Sequence, residues 1–162
     1  MLLYVFLVKC YGRDRVKIVF IRHTDTAAEV DEETFFRGAE SGGTRISPAL
    51  QLMKEIIRGR FPASTWNIYG AQASDGDNAT SDNELTAQMM TNDILSACQY
   101  FAYLEVQESH QSSDMPTSNL WDTYARLKSE KVPLAMRRVK DRSEIYPVFR
   151  DLFKKRMPGE VE

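Results

Sequence analysis

Cysteine and histidine are scarce in this chain, with two of each among 162 residues. Cys10 and Cys98 have no metal-like spacing and give no disulfide framework, which fits a reducing, cytoplasmic setting. No second histidine lies near His23 in sequence, so a zinc site would need distant ligands. Long apolar runs are also missing. "LLYVFLV" (Leu2 to Val8) has only seven residues, where a membrane helix needs about 20. It carries neither a basic leader nor a small-residue cleavage site, so it does not read as a signal peptide. No charge of one sign dominates: 21 Lys and Arg stand against 23 Asp and Glu, which gives no argument for a nucleic-acid or anionic-membrane surface. Walker A, G-x-G-x-x-G and G-x-S-x-G sequences are absent, as are internal repeats, low-complexity tracts and dividing linkers.

What is present is the composition of an ordinary globular protein, 43% hydrophobic and 27% charged, at a length that suits one domain over residues 1–162. Strand and helix signals alternate, which predicts an α/β domain with a mainly parallel sheet and helices on both faces. Leu2 to Tyr11 reads as a buried helix ending at Gly12, suited to a left-handed cap. Met1 is expected to lie inside an element whose preceding partner is missing from this chain. Arg15 to His23 is a nearly continuous apolar run, the pattern of a strand covered on both faces. The acidic segment after it predicts a short strand or turn and then a helical turn.

Ser47 suits an N-cap and Pro48 a first helical position. Ala49, Leu50, Leu52, Met53, Ile56 and Ile57 form an apolar helical face, and Gly59 closes it. Strands are predicted over "TWNIYGAQAS", Tyr100 to Val106 and "PLAMRRV", and helices over Leu85 to Cys98, Asn119 to Glu130 and Ser143 to Arg156. Gln107 to Ser118 reads as a surface loop. The aromatics Trp66, Tyr69, Tyr100, Phe101 and Tyr103 are expected within strands and in the core. "MRRVKDR" (Met136 to Arg142) reads most simply as a solvated face, with docking of an acidic partner as the sharper alternative.

In an open α/β sheet, ligands bind outside the carboxyl ends of strands. Two loops compete for that place: "ESGGTRISPAL", from Glu40 into the helix at Pro48, and "ASDGDN", after the strand ending near Ala73. Gly42 and Gly43 allow close backbone approach, and Thr44 presents a hydroxyl just before a helix. A hydroxyl is a weak ligand alone, but Asp75 could supply a carboxylate if the strand ends are neighbours, and Mg²⁺ is commonly held by one or two carboxylates with several waters. The bland readings are strong: "SGGT" as a tight turn with a capping group, and "DGDN" as an exposed turn in which Asp and Asn cap themselves. A calcium EF-hand fails, because position 6 from Asp75 is Thr80 and position 12 is Thr86.

"VFIRHTDTAAEVDEETFF", "ESGGTRISPALQLMKEII", "WNIYGAQASDGDN" and "IYPVFRDLFKK" resemble the C-terminal half of the YeaH/YhbH family, a bacterial group related to von Willebrand factor A domains. The resemblance runs from Leu2 to about Arg156. It implies a von Willebrand A-like, Rossmann-like doubly wound sheet with a metal-ion-dependent adhesion site. In such domains three loops hold the cation: an Asp-x-Ser-x-Ser, a Thr and a later Asp. Thr44 matches the second element and Asp75 the third, with Mg²⁺ or Mn²⁺ as the implied cofactor. No Asp-x-Ser-x-Ser precedes Leu2, so the domain is expected to be N-terminally truncated, without a central strand. Family resemblance also implies bacterial stress or sporulation physiology, with a PrkA-like serine kinase or a SpoVR-like protein as partner.

The leading expectation is a protein-interaction module, not an enzyme, in which a partner carboxylate completes the cation's shell. A metal-dependent phosphoester hydrolase using Asp75, Asp77 and His23 is the alternative, weakened because such chemistry usually needs more carboxylates or two metals. A third expectation is an inactive fragment whose exposed strand edges favour aggregation.

Overall fold

The structure, a computed structural model, describes residues 2–38, 44–107, 118–128 and 131–154. Its centre is a parallel sheet of three strands, β3 (Ile68–Ser74), β4 (Cys98–Val106) and β5 (Leu134–Val139), in the order β3-β4-β5. β4 is buried along most of its length because it has a strand on each side and helices above and below. The remaining strands, β1 (Phe20–His23) and β2 (Ala27–Val30), form a separate antiparallel hairpin pairing Phe20 with Val30 and His23 with Ala27.

Among the described residues, seven α-helices accompany them: α1 (Leu2–Tyr11), α2 (Glu32–Arg37), α3 (Ser47–Arg60), α4 (Asn83–Met89), α5 (Leu95–Ala97), α6 (Asn119–Leu127) and α7 (Ile145–Lys154). A π-helical turn, Met90–Ile94, joins α4 to α5. Alternation along β4 divides the core between the two faces. Phe101 and Tyr103 point toward Ile46 and Leu50 of the α3 end, Met89, Met90 and Ile94, and Leu120 and Tyr124 of α6. Tyr100 and Ala102 point the other way, against Tyr69, Ala135 and Val148 of α7. α1 joins that second layer through a hydrogen bond of 3.0 Å between the Tyr11 and Tyr69 hydroxyls.

The mixed α/β architecture with flanking helices agrees with the sequence reading, and so does the span of α1. But α1 is not the buried helix expected, since Val5 is exposed, and Gly12, at φ +84° and ψ 148°, is not in the left-handed helical conformation. Several expectations are corrected. The run from Arg15 is a strand only from Phe20, and it is half-buried rather than covered on both faces, because its partner β2 makes a surface hairpin. Gly59 does not close α3, which continues to Arg60. Trp66 lies ahead of β3 rather than in it, and its ring packs edge-on against Phe61 at 5.0 Å. The basic cluster is not a solvated face: Met136 and Val139 are buried, and Arg138 turns inward to Glu105. The glycines Gly42 and Gly43, and most of the loop from Gln107 to Ser118, lie outside the described residues.

Cys98, at the head of β4, is buried, and burial pushes its thiol up to about 12 despite a hydrogen bond with the Gly70 backbone. Its sulfur therefore behaves as a small apolar core group rather than as a nucleophile.

Candidate functional site

The carboxyl ends of β1 and β3 converge on residues 44–47. Beyond His23, the Thr24 carbonyl accepts a hydrogen bond from the Arg45 N–H at 3.0 Å. Beyond Ser74, the Ala79 N–H donates to the Thr44 carbonyl at 3.0 Å. Thr44 and Arg45 thus bridge the end of the hairpin and the loop that follows β3. The two loops singled out in the sequence are neighbours, as a shared site requires.

Two buried side chains fix this junction. Asn78 accepts from the Ile46 N–H at 3.1 Å and donates to Asn83 at 2.8 Å. Asp82 Oδ2 accepts from the Ile46 and Ser47 N–H groups at 3.0 Å each and from Thr86 Oγ1 at 2.9 Å. Its Oδ1 accepts from Ser47 Oγ at 2.5 Å. Ser47 is therefore not the cap of α3, as its type suggests; Ile46 holds that position, and the cap is a carboxylate 35 residues away. Burial opposes the charge on Asp82, but the Ser47, Thr86 and Ile46 bonds outweigh it and hold the carboxyl below its ordinary range.

Gly76 seats the other loop. Its φ is +94°, and a Cβ there would stand 2.5 Å from the Ser118 side chain and 2.6 Å from Glu105 Oε2. Its N–H donates to Ser74 Oγ at 2.9 Å and its carbonyl accepts from the Leu120 N–H at 3.2 Å, so the loop rests on the start of α6. Gly76→Ala is expected to destabilise the chain by about 2 kcal/mol, from left-handed strain and steric overlap together. Urea unfolding measures this; an unchanged midpoint would mean the loop moves away at no cost.

Asp75 and Thr44 are the candidate oxygen donors read from the sequence. Asp75 is exposed, and its Oδ1 accepts from the Asp77 N–H at 3.1 Å, the self-capped turn that the bland reading expects. Its Oδ2 and the hydroxyl of half-buried Thr44 make no hydrogen bond among the described residues. Asp77 is exposed. His23, which ends β1, carries a buried Nδ1 without a hydrogen-bond partner among the described residues. Burial lowers its pKa, while the Arg45 carbonyl and the charge of Asp75 partly offset that effect.

The donor chemistry fits a hard cation in part. Among the described residues no three His, Cys, Asp or Glu side chains cluster as a ready-made cage. A hydroxyl, one carboxylate oxygen and water are an acceptable partial shell for Mg²⁺, which retains several waters. Asp82, Asn78 and Glu105 escape the sequence reading, because each acts on a residue far along the chain and none sits in a local motif.

The chain matches the family model described as "Protein of unknown function (DUF444)" over residues 1–156. It is 60% identical to a UPF0229 protein of Bradyrhizobium diazoefficiens over 157 residues, covering 96% of this chain and 36% of that relative. A UPF0229 protein of Thiobacillus denitrificans is 49% identical, with 96% and 35% covered. One from Vibrio vulnificus is 46% identical, with 95% and 34% covered. The chain therefore spans about a third of the length of these relatives. No solved structure matches it. No described helix is long and apolar enough to cross a membrane.

Proposed function

We propose a function on the premise that the chain belongs to the DUF444 (UPF0229) family: it is a von Willebrand A-like protein-interaction module, not an enzyme. Thr44 and Asp75 hold part of a Mg²⁺ or Mn²⁺ shell, and a carboxylate from a partner protein fills a position otherwise taken by water. The observation that carries this reading is the junction at residues 44–45, which joins the carboxyl ends of β1 and β3 through the Thr24 and Ala79 backbone. Thr44 and Asp75 contribute oxygens with spare bonding capacity, and Asp82 and Asn78 hold the Thr44 loop in place.

An Asp-x-Ser-x-Ser strand supplies the rest of the shell in von Willebrand A-like domains. Among the described residues, β1 pairs with β2 alone and β3 with β4 alone, so each keeps an unpaired edge. Stress or sporulation physiology, with a PrkA-like serine kinase or a SpoVR-like protein as partner, completes the proposal.

Calorimetry with Mg²⁺ and Mn²⁺ on the chain and on Asp75→Ala tests it. Micromolar to low millimolar binding that the substitution abolishes is the expected result. Equal binding by both chains would remove Asp75 from the site.

A further inference from the structure

We propose that His23 is a third ligand of this site, contributing Nδ1 beside Thr44 and Asp75 and tuning it toward Mn²⁺, Co²⁺ or Zn²⁺ over Mg²⁺. The inference rests on the reading of Thr44 and Asp75 as cation ligands. It starts from a cost that nothing else described offsets. A buried nitrogen without a partner costs about 1–3 kcal/mol, and most buried polar atoms avoid it. Among the described residues His23 Nδ1 is such an atom, at the carboxyl end of β1 where the candidate site lies.

Its surroundings suit a ligand better than a core histidine. The next residue, Thr24, is hydrogen-bonded to Arg45, so the ring sits at the bridge that carries Thr44. Asp75 is near enough for its charge to act on the ring, and the Arg45 carbonyl favours a proton there. A neutral imidazole has one nitrogen lone pair to offer a cation. A carbonyl beside a ring whose nitrogen is open is the usual support of a ligating histidine. Adding imidazole to hydroxyl and carboxylate changes the preferred cation. Mg²⁺ takes oxygen ligands almost exclusively, whereas affinity for nitrogen rises along the first-row series from Mn²⁺.

The test titrates the whole chain with Mg²⁺, Mn²⁺ and Zn²⁺, alongside His23→Ala, His23→Gln and Asp75→Ala, each first shown to be folded by circular dichroism. Histidine ¹⁵N resonances are followed on addition of Zn²⁺, with the His23 signal assigned by its absence from His23→Ala. The expected result is Zn²⁺ binding about tenfold or more tighter than Mg²⁺, with the preference lost in both His23 variants and Mg²⁺ affinity little changed. The Nδ1 resonance of His23 moves on binding. An unchanged Zn²⁺ to Mg²⁺ ratio in the His23 variants, with a still ¹⁵N signal, would overturn the inference. If Asp75→Ala abolishes binding in that case, the cation site of Thr44 and Asp75 stands without His23. If Asp75→Ala changes nothing, both readings fall.

Discussion

Asp82→Ala is expected to lower the stability of the chain by about 3–5 kcal/mol. The carboxylate is almost completely buried and accepts four hydrogen bonds, two from backbone N–H groups at the start of α3 and two from hydroxyls. Removing it leaves the Ser47 N–H, the Ser47 hydroxyl and the Thr86 hydroxyl buried without their acceptor. The Ile46 N–H keeps Asn78. Arg45, 3.7 Å away and half exposed, adds little to the loss. Asp82→Asn fills the same volume but turns an amide donor toward one of these donor groups, so an intermediate loss is expected. Urea unfolding followed by tryptophan fluorescence reads the effect, and a loss under about 1 kcal/mol would mean the junction is held elsewhere.

The same residue sets an acid limit. Its carboxyl is held below the ordinary value, so the unfolded chain takes up the proton more readily than the folded one. The stabilisation from Asp82 is complete above the unfolded value near 3.9 and is lost as the pH falls through the lower folded value. In Asp82→Ala this part of the acid sensitivity is absent.

Glu105→Ala is the second large effect, at about 3–5 kcal/mol. Glu105 is 2% exposed on β4 and pairs with Arg138 of β5 at 2.8 Å. Ser118 Oγ donates to the same carboxylate, as does the Tyr103 hydroxyl at 3.2 Å. The Arg138 guanidinium stacks on Trp121 with its carbon 3.9 Å from the ring centroid, and among the described residues its Nη2 is buried without a hydrogen-bond partner. Loss of Glu105 therefore leaves a half-buried cation with its stacking contact and little else. Glu105→Gln keeps the shape and two of the donors, and should lose less. In a double-mutant cycle with Arg138→Ala, the double variant should lose about 1–3 kcal/mol less than the sum of the singles. Strict additivity would contradict the pairing.

The features that the sequence made legible are those decided locally. Pro48 and the apolar spacing from Leu50 to Ile57 mark α3, and Gly12 marks the end of α1. Tyr100 to Val106 is apolar enough to be a central strand and is one. The features that escaped depend on distant partners. The β1–β2 hairpin turns on pairing between Phe20 and Val30, and no property of the run from Arg15 shows where pairing starts. The π-helical turn Met90–Ile94 interrupts the helix expected over Leu85 to Cys98, and the apolar spacing alone does not show it. Thr44 and Asp75 could be matched by resemblance to neighbouring loops, but Asp82 could not, because its partners lie 35 and 36 positions away.

A divalent cation bound where β1 and β3 converge would show itself in Mn²⁺ paramagnetic broadening of the amide spectrum. Substoichiometric Mn²⁺ should erase the amide signals of Thr24, Thr44 to Ser47 and Asp75 to Asn78 first, leaving β5 and α7 sharp. Broadening centred on another acidic surface, or none in the folded chain, would contradict the account.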